Sequence, residues 1–269
     1  MYRLLVVTQE PRALELFAAM EGWEATGFKP PRVRQTVDEA VETLKKHRID
    51  AVAIADDMVF APLKTYLDKG ERMIPIFDIV DTKEEQWSVV RDVYQLLNQL
   101  RADYSNDDHD EAYRFQLARD RWMKKLLCGM MPTAKGILLH HKMLRCSEAV
   151  DTPRLYVRLN IPQGAHFMEE RWHYGSDRLE VALRNFFGVD QDAIQFHLAV
   201  QSPEEVRVMI SPKADCKKPI TLTAEQALGY VEDILGEIEN YLGLSIKILE
   251  IKKMDGLTAF AAGESENNR

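Results

Sequence analysis

Residues 49–55, Ile49-Asp50-Ala51-Val52-Ala53-Ile54-Ala55, decide the fold class together with residues 2–7, Tyr2-Arg3-Leu4-Leu5-Val6-Val7. Each is a short run of consecutive apolar residues rather than an alternation, which is how a strand reads when both of its faces are covered, as in a parallel sheet. Between them, residues 10–20 and 37–47 carry apolar side chains at helical spacing: Leu14, Phe17 and Ala18 in the first, Val37, Ala40, Val41 and Leu44 in the second. Asp38 and Glu39 begin the second helix and Lys45, Lys46 and His47 end it, as the helix dipole favours. A third run, residues 73–80, follows a Lys-Gly-Glu-Arg turn. Strand and helix alternate, which predicts an open α/β sheet covered on both faces.

Downstream of this sheet the periodicity changes. From Lys83 one long helix is predicted, in which Trp87, Val90, Tyr94, Leu97 and Arg101 step by three or four, and the polar, acidic stretch 105–110 marks a domain boundary. A second helix over residues 111–128 places Phe115, Ala118, Trp122 and Leu126 on one side and stops at Gly129. A third, over 134–146, follows Pro132. Residues 154–161 then alternate (Leu155, Val157, Leu159, Ile161) as a strand, and 177–187 read as a helix with Leu179, Ala182, Leu183 and Phe186 inward. Residues 194–200 and 206–210 form two strands joined by a short hairpin connection. Residues 224–242 are a helix capped by Thr223, and 245–251 alternate again. The order βαββαβ is that of a ferredoxin-like α+β domain.

Composition excludes several classes of function. The chain has 269 residues, 46% hydrophobic and 29% charged, with 35 Lys and Arg against 43 Asp and Glu, a net charge of -8. These fractions predict globular domains with real cores. No apolar run approaches the roughly 18 residues of a membrane helix, and the N-terminal residues lack the apolar region of a secretory signal, so a cytoplasmic protein without membrane partners is expected. The acidic balance argues against holding nucleic acid by phosphate contacts alone. Cys128, Cys146 and Cys216 are widely separated and make neither a disulfide framework nor a CxxC zinc site.

Motifs of catalysis are missing as well. There is no Ser-His-Asp order, P-loop, glycine-rich dinucleotide turn or HExxH. His140 and His141 are adjacent and point about 100° apart on a helix. His166 and His173, spaced by seven with Glu169 and Glu170 between them, could share a helix face, but the segment reads as a surface or partner-facing loop rather than a metal site. Residues 213–218 (Lys-Ala-Asp-Cys-Lys-Lys) read as a small basic turn. Neither a metal nor a cofactor is expected, nor enzymatic activity.

Two segments resemble known families. Val6-Val7-Thr8-Gln9-Glu10-Pro11 looks like the Ile-Val-Asp-Asp-Glu-Pro opening of bacterial response-regulator receiver domains, and residues 49–58 resemble the segment of the same family that ends in its phosphoacceptor. The resemblance spans residues 1–104 and implies a flavodoxin-like parallel sheet. A receiver needs carboxylates to take the phosphoryl group and to hold the magnesium that neutralises it. Here the family's acidic pair falls on Thr8 and Gln9, its phosphoacceptor on Ala55 and its switch Thr or Ser near Asp78, and one strand-helix unit is missing. A pseudo-receiver that works without phosphorylation is implied; Asp56 or Asp57 as a rearranged acceptor is the alternative.

The stretch from Phe115 to Gly129, followed by Leu155-Tyr-Val-Arg-Leu-Asn-Ile161, is similar to the linker helix and central domain of YesN-type response regulators of the AraC class. There a receiver is followed by a helix ending in Leu-Leu-x-Gly, a degenerate GGDEF-like domain, and paired helix-turn-helix units that bind DNA. This resemblance implies a helical linker over 105–150, a degenerate GGDEF-like domain over 151–255 and a polar tail over 256–269, with no room for the helix-turn-helix region. The GGDEF hairpin falls on Ser202, Pro203, Glu204 and Glu205. Ser-Pro replaces both glycines and removes an amide donor, so cyclase activity is not expected and Glu204 and Glu205 read as an exposed tip. In such regulators the output is a change in association. The expected homodimer or partner surface is Trp87 and Tyr94 on the first long helix with Phe115, Trp122 and Leu126 on the second. Two rival readings stay open: the regulatory part of a DNA-binding transcription regulator whose reading head lies outside this chain, and a nucleotide-binding receptor or enzyme using the second domain.

Overall fold

The computed structural model describes residues 1–55, 60–69, 73–104, 111–188, 194–213 and 224–261. They form two compact units, one drawn from Met1–Asp120 and Leu139–Cys146 and the other from Arg121–Leu138 and Ser147–Arg269. Residues 105–150, expected as a separate linker, are thus divided between the units.

In the first unit β1 (Leu4–Val7), α1 (Pro11–Ala19), β2 (Arg32–Arg34), α2 (Val37–Lys46), β3 (Ala51–Ile54), α3 (Ala61–Lys69) and β4 (Ile76–Asp78) alternate before the 22-residue α4 (Lys83–Tyr104). The strands pair in the order β2-β1-β3-β4, all parallel, with Val6 opposite both Val33 and Ala53, and Ala53 opposite Phe77. All four residues of β1 and all four of β3 are buried, the reason that both read as unbroken apolar runs. Leu5, Val7, Val52, Ile54 and Ile76 pack with Ala40 of α2 and with Leu63 and Leu67 of α3. Alternation turns Leu4, Val6, Ala53 and Phe77 to the other face, and all four are buried there too. Thr36 caps α2 by accepting from the Glu39 amide. Gly27, at φ 82°, lies against the Tyr94 ring so closely that a Cβ there would come within 2.2 Å of it. Then α5 (Glu111–Leu127) and α6 (Ala134–Met143) follow.

The second unit runs β5 (Arg154–Asn160), α7 (Gly164–Glu170), α8 (Ser176–Phe187), β6 (Ile194–Ser202), β7 (Glu205–Pro212), α9 (Ala224–Leu242) and β8 (Lys247–Met254). Its sheet is antiparallel in the order β6-β7-β5-β8. Leu155, Val157 and Leu159, with Val206, Val208 and Ile210, turn one sheet face into a core shared with Leu179, Leu183 and Phe187 of α8 and Val231 and Ile238 of α9. Phe187, not Phe186, is the deep aromatic of α8, 1% exposed. The second sheet face is charged and meets groups from outside the sheet: its Arg207 guanidinium donates to the Leu127 carbonyl at the end of α5 (2.9 Å), and Phe260 packs against its Tyr156. Residues 257–260, expected in a polar tail, form a 3-10 turn that buries Leu257 and Phe260, because these apolar residues extend the cover of that face. Thr223 and Cys216 lie outside the described residues. No helix among the described residues is long and apolar enough to cross a membrane.

Candidate functional site

In an open parallel sheet the ligand crevice lies beyond the carboxyl ends of the strands, where the strand order reverses. Here the order reverses between β1 and β3, and the expected residues gather at that edge: Thr8 after β1, Ala55 after β3 and Asp78 ending β4, with Ile54 and Asp78 in register. Their local bonding is already spent within the chain. Thr8 is fully buried; its amide donates to the Arg34 carbonyl (3.0 Å) and its hydroxyl accepts from the Glu10 amide (3.1 Å). The Ala55 amide donates to the Val7 carbonyl (3.4 Å). Gln9 is exposed. Asp78 is exposed and ion-paired with Lys142 of α6. Asp56 and Asp57 lie outside the described residues.

Lys142 belongs to a segment tied to this unit by several polar contacts. Arg145, at φ 52°, pairs with Asp68 of α3, and the Arg119 guanidinium donates to the carbonyls of Leu144 (2.9 Å) and Arg145 (3.0 Å). Among the described residues of the expected pocket, the edge therefore offers one neutralised carboxylate, Asp78, and a threonine whose hydroxyl already accepts a backbone hydrogen bond. Neither is a set of ligands for a divalent cation. No group of three or more potential metal ligands exists among the described residues.

The second candidate is the hairpin between β6 and β7, whose turn is Pro203-Glu204. The Ser202 hydroxyl accepts from the Glu204 amide (3.2 Å), and the Glu204 carbonyl accepts from the Ile161 amide (2.8 Å) and the Asn160 side chain (3.1 Å). Glu204 keeps the exposed position expected of it; Glu205 does not. Its carboxylate lies on the charged sheet face between Arg207 (2.8 Å) and Arg158 (3.3 Å), and Arg158 also meets Glu250 of β8 (3.6 Å). Burial would raise the Glu205 pKa, but the hydrogen bond and charge of Arg207 and the charge of Arg158 outweigh it and hold it below the ordinary value. A glutamate so neutralised is no metal ligand. The start of α7 also packs directly on the turn, with Gly164 against the Pro203 carbonyl.

Of the five residues expected to face a second chain, Phe115, Trp122 and Leu126 are buried within this one, while Trp87 and Tyr94 are half-buried. Trp87 lies 4.7 Å from Trp23, which stacks on Phe17, and Tyr94 packs between Tyr2 and Phe28. Phe115, Trp122 and Leu126 are 2%, 4% and 1% exposed. These three side chains of α5 are thus taken up by packing within the chain, while Tyr113 of the same helix stays exposed. His166 pairs with Glu170 one turn on in α7, at 3.2 Å, an element that was expected as a loop.

Reading the sequence passed over one buried polar cluster. Glu148 accepts a hydrogen bond from Gln195 and faces both His197 (3.6 Å) and Arg154 (3.7 Å), whose side chain is 1% exposed. The Arg154 guanidinium also donates to the Ala149 carbonyl (2.7 Å). Its cation closes the loop of residues 148–152 onto β5, a structural task. No protein-family model matches the chain, and no curated protein matches it.

Proposed function

We propose that this chain is a non-enzymatic regulatory module: a phosphorylation-independent pseudo-receiver with a flavodoxin-like sheet, followed by a ferredoxin-like, degenerate GGDEF-like domain of the kind found in YesN-type regulators. The observation that carries the reading is the carboxyl edge of the parallel sheet. The strand order matches that of a receiver short of its last strand, while Thr8 and Ala55 stand where the phosphotransfer carboxylates belong and Lys142 neutralises Asp78. The antiparallel order β6-β7-β5-β8 supports the second half of the reading, and the arginine-bound Glu205 supports the absence of cyclase chemistry.

Output is through self-association or a protein partner, by a surface other than Phe115, Trp122 and Leu126. The test combines two measurements on the full chain. Incubation with acetyl phosphate and Mg²⁺ should leave the intact mass unchanged, and sedimentation velocity should show a dimer whose stability is indifferent to beryllofluoride. Stoichiometric phosphorylation, at Asp56 or elsewhere, would overturn the phosphorylation-independent reading, and a strict monomer would overturn self-association as the output.

A further inference from the structure

The first unit has a second concavity, at the opposite end of its sheet from the edge just described. A cleft of about 830 Å³ opens beside the amino ends of the strands, where Arg3 leads into β1, Arg48 and Asp50 into β3, and Ile74 and Pro75 into β4. Its other wall is helical, with Leu97, Leu100 and Arg101 from α4 and Glu111, Arg114 and Phe115 from α5. This volume lies in the range of cavities that hold small organic molecules, about 300–1,000 Å³.

The lining has two characters. Ile74, Leu97, Leu100 and Phe115 give it an apolar floor. The lining also includes four arginines, Arg3, Arg48, Arg101 and Arg114, and two carboxylates, both of which are engaged by the fold. Asp50 accepts from the Arg3 backbone amide (2.8 Å) and from the Arg48 guanidinium (3.1 Å), and Glu111 accepts from the Met73 amide (3.1 Å). Arg101 is set beside the Tyr2 hydroxyl, which itself donates to Asn98 (2.9 Å). In a chain of net charge -8 this local excess of cations is against the overall balance.

We propose that the cleft binds a small organic anion, its acid group held by the guanidinium groups of Arg3 and Arg101 and its apolar body laid on Leu97, Leu100 and Phe115. Guanidinium forks match the geometry of carboxylate, sulfonate and phosphate groups, and the apolar floor selects against a bare inorganic ion. Nothing in this binding depends on the regulatory reading, which rests on the other edge of the sheet.

The probe is 8-anilinonaphthalene-1-sulfonate, titrated by fluorescence into the full chain beside N-phenyl-1-naphthylamine, which has the same rings without the sulfonate. Saturable one-to-one binding of the sulfonate is expected, with the neutral dye weaker by about tenfold, the loss of roughly one charge-assisted contact. Arg101→Gln and Arg3→Gln should each weaken the sulfonate by a similar factor and leave the neutral dye unchanged. Arg101 is an exposed helical residue, so its variant carries the test even where Arg3→Gln perturbs the strand. Equal binding of the two dyes, non-saturable binding, or unchanged affinity in the Arg101 variant would overturn the proposal.

Discussion

Gly164 and Pro203 meet backbone to backbone: a methyl group placed on the Gly164 Cα would lie 1.8 Å from the Pro203 carbonyl oxygen. The contact seats the first turn of α7 on the β6-β7 turn, and the Ile161 amide bonded to the Glu204 carbonyl holds the same junction from the strand side. The obstructing atoms belong to backbone, so the clash cannot be relieved by a rotamer change. Gly164→Ala should therefore destabilise the second unit by about 3 kcal/mol, the upper part of the range for overpacking, read as a lowered urea midpoint. A variant as stable as the parent would mean that the turn and α7 do not touch.

The same junction bears on nucleotides. A hairpin that cradles phosphates needs open backbone amides, and here Pro203 has none while the Gly164 turn covers the carbonyl side. GTP and cyclic di-GMP should leave the melting temperature unchanged at millimolar concentration. A ligand present at a hundred times its dissociation constant would add about 2.7 kcal/mol of apparent stability, a shift that scanning calorimetry resolves, and its appearance would revive the receptor reading.

How much of this was legible in the sequence depends on the range of the interaction. β1 and β3 stood out because both faces of each are buried, so no polar residue interrupts them. β2 is Arg-Val-Arg, a three-residue edge strand whose pattern carries no apolar signal, and α7 spans only seven residues; neither was visible. α3 went unread for want of a strong apolar stripe. Thr8, Ala55 and Asp78 came together as expected because strand ends in a parallel sheet are neighbours by construction. Lys142 did not, since its contact with Asp78 closes 64 residues of chain. Glu205 was misplaced by one residue of turn: with the turn at Pro203-Glu204 it enters β7 and meets Arg158, which only the strand register reveals. The periodicity of α5 placed Phe115, Trp122 and Leu126 on one apolar side but contained nothing about whether one chain or two would cover it.

That last point has a direct test in Trp122→Glu. For a residue at a dimer contact this change would separate two folded chains. For a residue 4% exposed it places a carboxylate in the core and removes an indole, at a cost of about 4 kcal/mol or more. The expected outcome is a large fall in the urea midpoint, with folded molecules keeping the parent's sedimentation coefficient. Unchanged stability with a loss of dimer would return Trp122 to the surface.

Glu148 sets a pH dependence whose sign follows from its surroundings. Burial acts to raise its pKa, but His197 at 3.6 Å, the charge of Arg154 and the hydrogen bond of Gln195 together hold it below the ordinary 4.5. The folded protein therefore binds this proton less readily than the unfolded chain does. A depressed carboxylate contributes stability that is fully present above the unfolded value and is lost as pH falls through the lower, folded one. Glu148→Gln keeps the shape but leaves the Arg154 guanidinium without its carboxylate, and should cost about 2 kcal/mol at pH 7, as for a hydrogen bond to a charged group. The difference between parent and variant should hold steady down to about pH 5 and close as the pH drops below 4.5. Urea titrations of both proteins across that interval measure it, and a gap that widened toward acid would show that the carboxylate is held protonated rather than ionised.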